Sequence, residues 1–326
     1  MIANGDGGGL RVTRLVKHFP VKRGMPWARP DAHVRAVDDI SFAIEPSETV
    51  SLVGESGCGK TTTAKLVLRL EKPTAGTISF GGRDINMARG ADLRRYRAAV
   101  QAVFQDPGSS MNPRMRAKDI ISEPLLINQG MPRRQRDERA SELLETVGLD
   151  PSLRDDYPHE FSGGMRQRLA VARALSLSPA LIVLDEPVSA LDVSIRAQIM
   201  NLLKDLQEQL GVAYLLVAHD LATVRYLSHR LVVMYLGEIV EGGPSEAVFT
   251  EPLHPYTQAL ISAALPARPG ERSEGVILSG DLPSPTNPPP GCRFHTRCPM
   301  AFDRCRGEKP LLREMGPGHT VACHLY

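Results

Sequence analysis

Short, nearly continuous apolar runs at Thr49–Val53, Ala180–Leu184, Ala213–Val217 and Leu231–Tyr235 predict strands buried on both faces. Leu10–Phe19 alternates only in part and reads as a strand, as does Ala36–Ile44. The Pro-, Gly- and Arg-rich Pro20–Arg35 between them reads as a loop or hairpin tip. Helical spacing recurs at Thr61–Leu70, at Lys118–Asn128 and at Arg133–Val147, which is charged on one face with Leu143, Leu144 and Val147 on the other. Ser162 can cap a helix running through Leu175, and a long helix extends from about Ser194 to Leu210. Strand, helix, strand recurs, which predicts a parallel α/β core. The helices between Pro107 and Tyr157 interrupt that rhythm as an insert.

Composition narrows the possibilities without naming one. A chain of 326 residues can hold one large or two medium domains. Its net charge of +2 is the small difference between 39 basic and 37 acidic residues, which points away from nucleic acid as a partner. The longest apolar runs, such as Val212–Ala218, are far shorter than the about 20 residues of a membrane-spanning helix. The polar, Gly-rich Met1–Gly9 lacks the apolar core of a secretion signal. A soluble cytoplasmic protein is expected, held at any membrane by other subunits.

The first candidate chemistry is Gly54-Glu-Ser-Gly-Cys-Gly59-Lys60-Thr61, which matches G-x-x-x-x-G-K-[ST] between a strand and a helix. Gly54, Gly57 and Gly59 let the backbone curl around Glu55, Ser56 and Cys58 with N–H groups turned inward. That makes an anion nest at a helix N-terminus, with Thr62 in the first turn. Lys60 adds positive charge toward β- and γ-phosphates, the Thr61 hydroxyl suits Mg²⁺, and Cys58 reads as a small filler. The second is Leu181-Ile-Val-Leu-Asp185-Glu186, an apolar strand delivering two carboxylates at its C-terminal end, the edge where open α/β sheets bind ligands. Asp185 suits Mg²⁺ and Glu186 can polarise an attacking water. The expectation is an ATP–Mg²⁺ site.

Phe161-Ser162-Gly163-Gly164-Met165-Arg166-Gln167-Arg168 resembles the signature of ABC (ATP-binding cassette) ATPases. Gln105 in Val103-Phe-Gln-Asp-Pro107 resembles the Q-loop and Ser189-Ala-Leu-Asp192 the D-loop. His219 in Val217-Ala-His-Asp220 matches the H-loop, and Phe19 falls where an adenine-stacking aromatic is expected. The resemblance covers about residues 10–250 and implies a P-loop NTPase core of ABC type with a helical subdomain at about 107–178. It implies a head-to-tail dimer, in which each ATP lies between the phosphate loop of one subunit and Ser162, Gly163 and Gly164 of the other. Glu186 would orient water, His219 would contact the γ-phosphate, and Gln105 would sense Mg²⁺ and water beside the insert. Met165 departs from the usual Gln and lacks its amide, although peptide-importer relatives also carry Met there. With Lys60, Glu186 and His219 present, a hydrolytically competent site is expected.

Beyond Thr250, His254-Pro-Tyr-Thr-Gln-Ala-Leu260 and the stretch from Gly280 through Cys298 resemble the C-terminal extension of oligopeptide/dipeptide importer ATP-binding subunits. Asp106-Pro-Gly-Ser-Ser-Met-Asn-Pro113 fits the same subfamily. Pro283–Pro290 reads as extended, semi-rigid chain. Cys292, Cys298, Cys305 and Cys323 are spaced more widely than the pairs of most zinc sites. A [4Fe–4S] cluster, zinc and unligated thiols all stay open, with His295, His319 and His324 as substitute ligands. Two function classes follow. One is the ATPase subunit of a peptide importer, with nickel or glutathione as other cargoes. Its partners would be two transmembrane permeases, a second ABC ATPase, identical or not, and an extracytoplasmic binding protein. The other class is a soluble ABC ATPase acting on ribosomes or DNA.

Overall fold

A computed structural model describes residues 9–21, 32–189, 191–264 and 282–326. The leader reading for residues 1–8, most of the Pro20–Arg35 insertion, Ala190 of the D-loop-like turn and residues 265–281 of the extension lie outside the described residues. Among the described residues the strands are β1 (Leu10–Val21), β2 (Ala32–Ile44), β3 (Thr49–Val53), β4 (Ala75–Phe80), β5 (Arg83–Asp84), β6 (Val100–Val103), β7 (Leu181–Asp185), β8 (Ala213–Val217), β9 (Arg230–Tyr235), β10 (Glu238–Pro244), β11 (Arg313–Gly316) and β12 (His319–Val321). The helices are α1 (Lys60–Val67), α2 (Gly90–Ala99), α3 (Pro107–Ser110), α4 (Ala117–Gln129), α5 (Arg133–Thr146), α6 (Gly163–Leu175), α7 (Val193–Leu210), α8 (Leu221–Leu227), α9 (Ser245–Thr250), α10 (Pro255–Ala264) and α11 (Asp303–Gly307).

The chain divides into two compact units. One comprises Leu10–Ala43, Thr49–Ser79 and Val217–Tyr326. In it, every residue of β3 is buried, as its unbroken apolar run requires, and β3 pairs in parallel with β9 from Val50↔Arg230 to Val53↔Val233. The order β11-β12-β10-β9-β3 then continues antiparallel through β10 and β12, so the expected parallel arrangement gives way to a mixed one. β10 escaped the sequence reading because Gly242 and Gly243 interrupt its apolar pattern. At Gly243 a Cβ would come within 3.1 Å of His319, so the missing side chain makes room for the C-terminal strand. Pro283–Pro290 lacks regular structure, whereas the chain beyond it folds back as α11 and the β11–β12 hairpin.

That return is anchored by a charge. Glu241 on β10 is fully buried, and its carboxylate accepts from the backbone N–H groups of Leu253 and His254, both at 2.8 Å, and meets His319 Nε2 at 2.8 Å. A buried carboxylate is tolerated when its lone pairs are this fully engaged.

The other unit comprises Ile44–Glu48 and Phe80–Leu216, with Gly9 as its described N-terminal residue. Its strands run in the order β8-β7-β6, with β6 and β7 parallel from Val100↔Leu181 to Val103↔Leu184. α4, α5 and α6 pack together as the helical insert, burying Leu143, Leu144 and Val147 as their spacing predicts. Arg173 with Glu123 (3.0 Å) and Lys118 with Asp155 (2.6 Å) join its segments at the surface.

Candidate nucleotide site

The phosphate loop leaves the buried end of β3 and enters α1. Gly54 (φ +146°) and Gly59 (φ +113°) sit where L side chains rarely go, and a Cβ at either would collide with a backbone carbonyl, of Met234 or Ala36. Gly59 caps α1 without any side-chain hydrogen bond, so the N-cap side chain claims none of the first N–H groups of the helix. Lys60 is 7% exposed, and its ammonium donates to the carbonyls of Gly54 (2.7 Å) and Glu55 (3.0 Å). Cys58 is fully buried beneath the loop, and burial pushes its thiol pKa up, which suits the filler role. Thr61 is exposed and Thr62 half-buried.

His219 and Phe19 belong to the same unit. Ala218 donates its N–H to Leu52 O at 3.4 Å, which brings the residue before His219 alongside β3. His219 is exposed, and Asp220 turns the chain into α8 by accepting from Ala222 N–H. Phe19 is half-buried on β1 with the Lys17 ammonium 4.6 Å from its ring centroid.

The remaining candidates lie in the second unit. β7 delivers Asp185 half-buried and Glu186 at φ +50°, and Gln105 Nε2 donates to Glu186 Oε2 at 2.9 Å. This contact spans 81 residues of sequence. Ser162 caps α6, its hydroxyl accepting from Met165 N–H at 3.3 Å, and Asp192 caps α7 through Ile195 N–H at 3.0 Å. Gly163 and Gly164 pack against Leu191 and Ile195, so the signature-like helix and the Asp192 turn are neighbours.

The four C-terminal cysteines are free thiols. Burial pushes Cys292, Cys298 and Cys323 up, Cys292 to about 12, with charge on the neighbouring thiols adding to the rise. Among the described residues no group of three or more His, Cys, Asp or Glu side chains converges as metal ligands do, so in this arrangement the thiols do not fit an iron–sulfur cluster or zinc. For the same residues no helix is long and apolar enough to cross a membrane.

Sequence reasoning missed the groups that brace the phosphate loop from outside. The Tyr256 hydroxyl accepts from Glu55 N–H at 2.7 Å, and Arg297 donates to both Glu55 carboxylate oxygens at 2.7 and 3.0 Å. These partners lie 201 and 242 residues from Glu55, and no local pattern signals such a pairing.

An uncapped glycine loop after a buried parallel strand, an acidic pair closing a second strand and a serine-capped signature helix that opens on two glycines together define a P-loop ATPase of the ABC type. The ABC transporter family model matches residues 37–189, and the model for the C-terminal region of oligopeptide/dipeptide transporters matches residues 240–305. The chain is 52% identical over 317 residues, 97% of its length and 89% of the relative's, to a probable peptide ABC transporter ATP-binding protein of Sinorhizobium fredii. It is 48% identical over 320 residues, 97% of each chain, to the oligopeptide transport ATP-binding protein AppF of Bacillus subtilis. The ADP- and Pi-bound dimeric cassette MJ0796 superposes with a TM-score of 0.63 at 29% identity, over 72% of this chain and 98% of that one. The chain belongs to the ATP-binding proteins of the oligopeptide/dipeptide ABC transporter family. The ribosome- or DNA-acting alternative finds no support among these relatives.

Proposed function

We infer that this chain is the ATP-hydrolysing, energy-coupling subunit of a membrane importer for dipeptides or oligopeptides. The observation that carries the reading is the union, in one chain, of an ABC cassette with the C-terminal region of oligopeptide/dipeptide transporters. We read residues 10–250 as the ATPase domain, with the helical subdomain at about 107–178, and residues 251–326 as the extension.

The phosphate loop, Gly54 to Thr62, wraps the triphosphate with backbone N–H groups, and Lys60 exchanges its loop carbonyls for phosphate oxygens. Thr61 and Asp185 are oxygen donors of the kind Mg²⁺ takes, and that ion needs only one or two protein donors besides phosphates and water. When bound, Mg²⁺ neutralises charge on the phosphates. Glu186 accepts a proton from the attacking water, and the Gln105 amide bonded to it reports its position to the helical insert. His219 contacts the γ-phosphate, Phe19 stacks on adenine, and Ser162, Gly163, Gly164 and Asp192 serve the ATP of a second cassette, identical or not.

The chain sits on the cytoplasmic face of the membrane against two permease subunits, with an extracytoplasmic binding protein supplying cargo. A groove of about 480 Å³ on the helical insert, lined in part by Arg116, Glu123, Leu126, Ile127 and Tyr157, offers the permeases exposed apolar surface ringed by charge. Co-purification with these partners and reconstitution in liposomes should give peptide-stimulated ATP hydrolysis. Stimulation by nickel or glutathione and not by peptides would reassign the cargo, and no release of phosphate would remove the reading. For the extension, the cluster and zinc readings rest on residue types alone. Anaerobic purification followed by visible absorption and iron and zinc analysis decides them, and absence of both metals removes them.

A further inference from the structure

The loop that is to receive a triphosphate carries a carboxylate of its own. Glu55 is the second residue of the phosphate loop, and a bare anion there would repel nucleotide. It is not left bare. Arg297 of the C-terminal extension grips both of its oxygens in a fork, and the Arg297 side chain is only 8% exposed.

The fork is held rigidly. Arg297 N–H donates to Phe294 O at 3.0 Å. Phe294 is buried between Tyr235 (5.2 Å between centroids) and Tyr256 (5.4 Å), which themselves meet at 4.8 Å. The same Tyr256 pins the Glu55 N–H, while the Glu55 carbonyl accepts from Lys60. One residue of the loop is therefore fixed at its amide by α10, at its carboxylate by the extension, and at its carbonyl by the phosphate-binding lysine.

We propose that Arg297 is a positioning residue for ATP binding: the C-terminal extension uses it to neutralise Glu55 and hold the phosphate loop open for the triphosphate. This rests on the reading that the loop built around Lys60 takes the nucleotide, and the test separates the two. Binding of a fluorescent ATP analogue with Mg²⁺ is measured on the full chain, with Lys60→Ala as reference. If the wild type fails to bind, or Lys60→Ala binds normally, the phosphate-loop reading fails. With that reading intact, Arg297→Gln should weaken binding by about tenfold and Arg297→Lys, which keeps charge but loses the fork, by about threefold. Adding Glu55→Gln to Arg297→Gln should return binding to within about threefold of wild type, because the charge that needed compensation is gone. Should Arg297→Gln not fold, Glu55→Gln alone serves. It leaves Arg297 unopposed beside the phosphates and should tighten binding by about threefold. Arg297→Gln binding within about twofold of wild type, a double variant as weak as Arg297→Gln, or a Glu55→Gln variant weaker than wild type would each overturn the assignment.

Discussion

Two glycine-bearing loops open helices in this protein, and they are finished in opposite ways. At the entry to α6, Ser162 turns its hydroxyl onto Met165 N–H, so the helix start is completed by its own neighbour. At the entry to α1, Gly59 supplies no side chain, and the loop is shaped by residues brought from far along the chain: Met234, Tyr256 and Arg297. The start of α1 is left without a side-chain cap, and the loop before it takes its rigidity from outside. The start of α6 is stabilised locally.

The largest effect comes from removing the chemistry while leaving both loops whole. Glu186→Gln should retain ATP binding yet lose on the order of 100-fold or more in turnover, and near-normal hydrolysis would mean that neither loop feeds a centre built on Glu186. Next are the glycines. Gly54→Ala forces a Cβ against the Met234 carbonyl at a positive φ and should cost on the order of 3 kcal/mol in urea unfolding. Gly164→Ala meets Ile195 Cγ2, at 2.5 Å, a side chain that can turn, and should cost about half as much; equal losses would erase the distinction between the loops. Ser162→Ala should destabilise by about 1 kcal/mol through the lost cap, checked by the same unfolding curves, and no change would show that α6 is not closed locally.

A separate effect is on pH dependence, through the aromatic group behind the phosphate loop. Burial lowers the His254 pKa to about 3, against about 6.5 when unfolded, and its ring accepts from Tyr256 N–H at 3.1 Å. Between those values the unfolded chain binds the proton and the folded chain does not. Stability therefore falls as pH drops from about 6.5, with this residue contributing about 1.4 kcal/mol per pH unit. His254→Asn keeps an acceptor without titrating, so its stability profile between pH 7 and pH 4.5 should be shallower than the wild type's by that amount. Parallel profiles would show that His254 does not titrate in this way.

Features that depend on near neighbours are written in the chain. The apolar runs of β3, β7, β8 and β9, the spacing of α4 and α5, the Ser162 cap and the G-x-x-x-x-G-K-T loop each follow from contacts within a few residues. Motif order along the chain then marked Gln105, Asp185, Glu186 and His219 as candidates. Folding alone brings Gln105 against Glu186, lays a C-terminal strand on the glycine-rich β10 over a buried Glu241, and closes Arg297 on Glu55. The reason is physical: a hydrogen bond across 81 or 242 residues leaves no periodicity in the chain that makes it. Its partners are selected by packing of the Tyr235–Tyr256–Phe294 group and by the cost of burying an unpaired charge, and neither exists until the chain is folded.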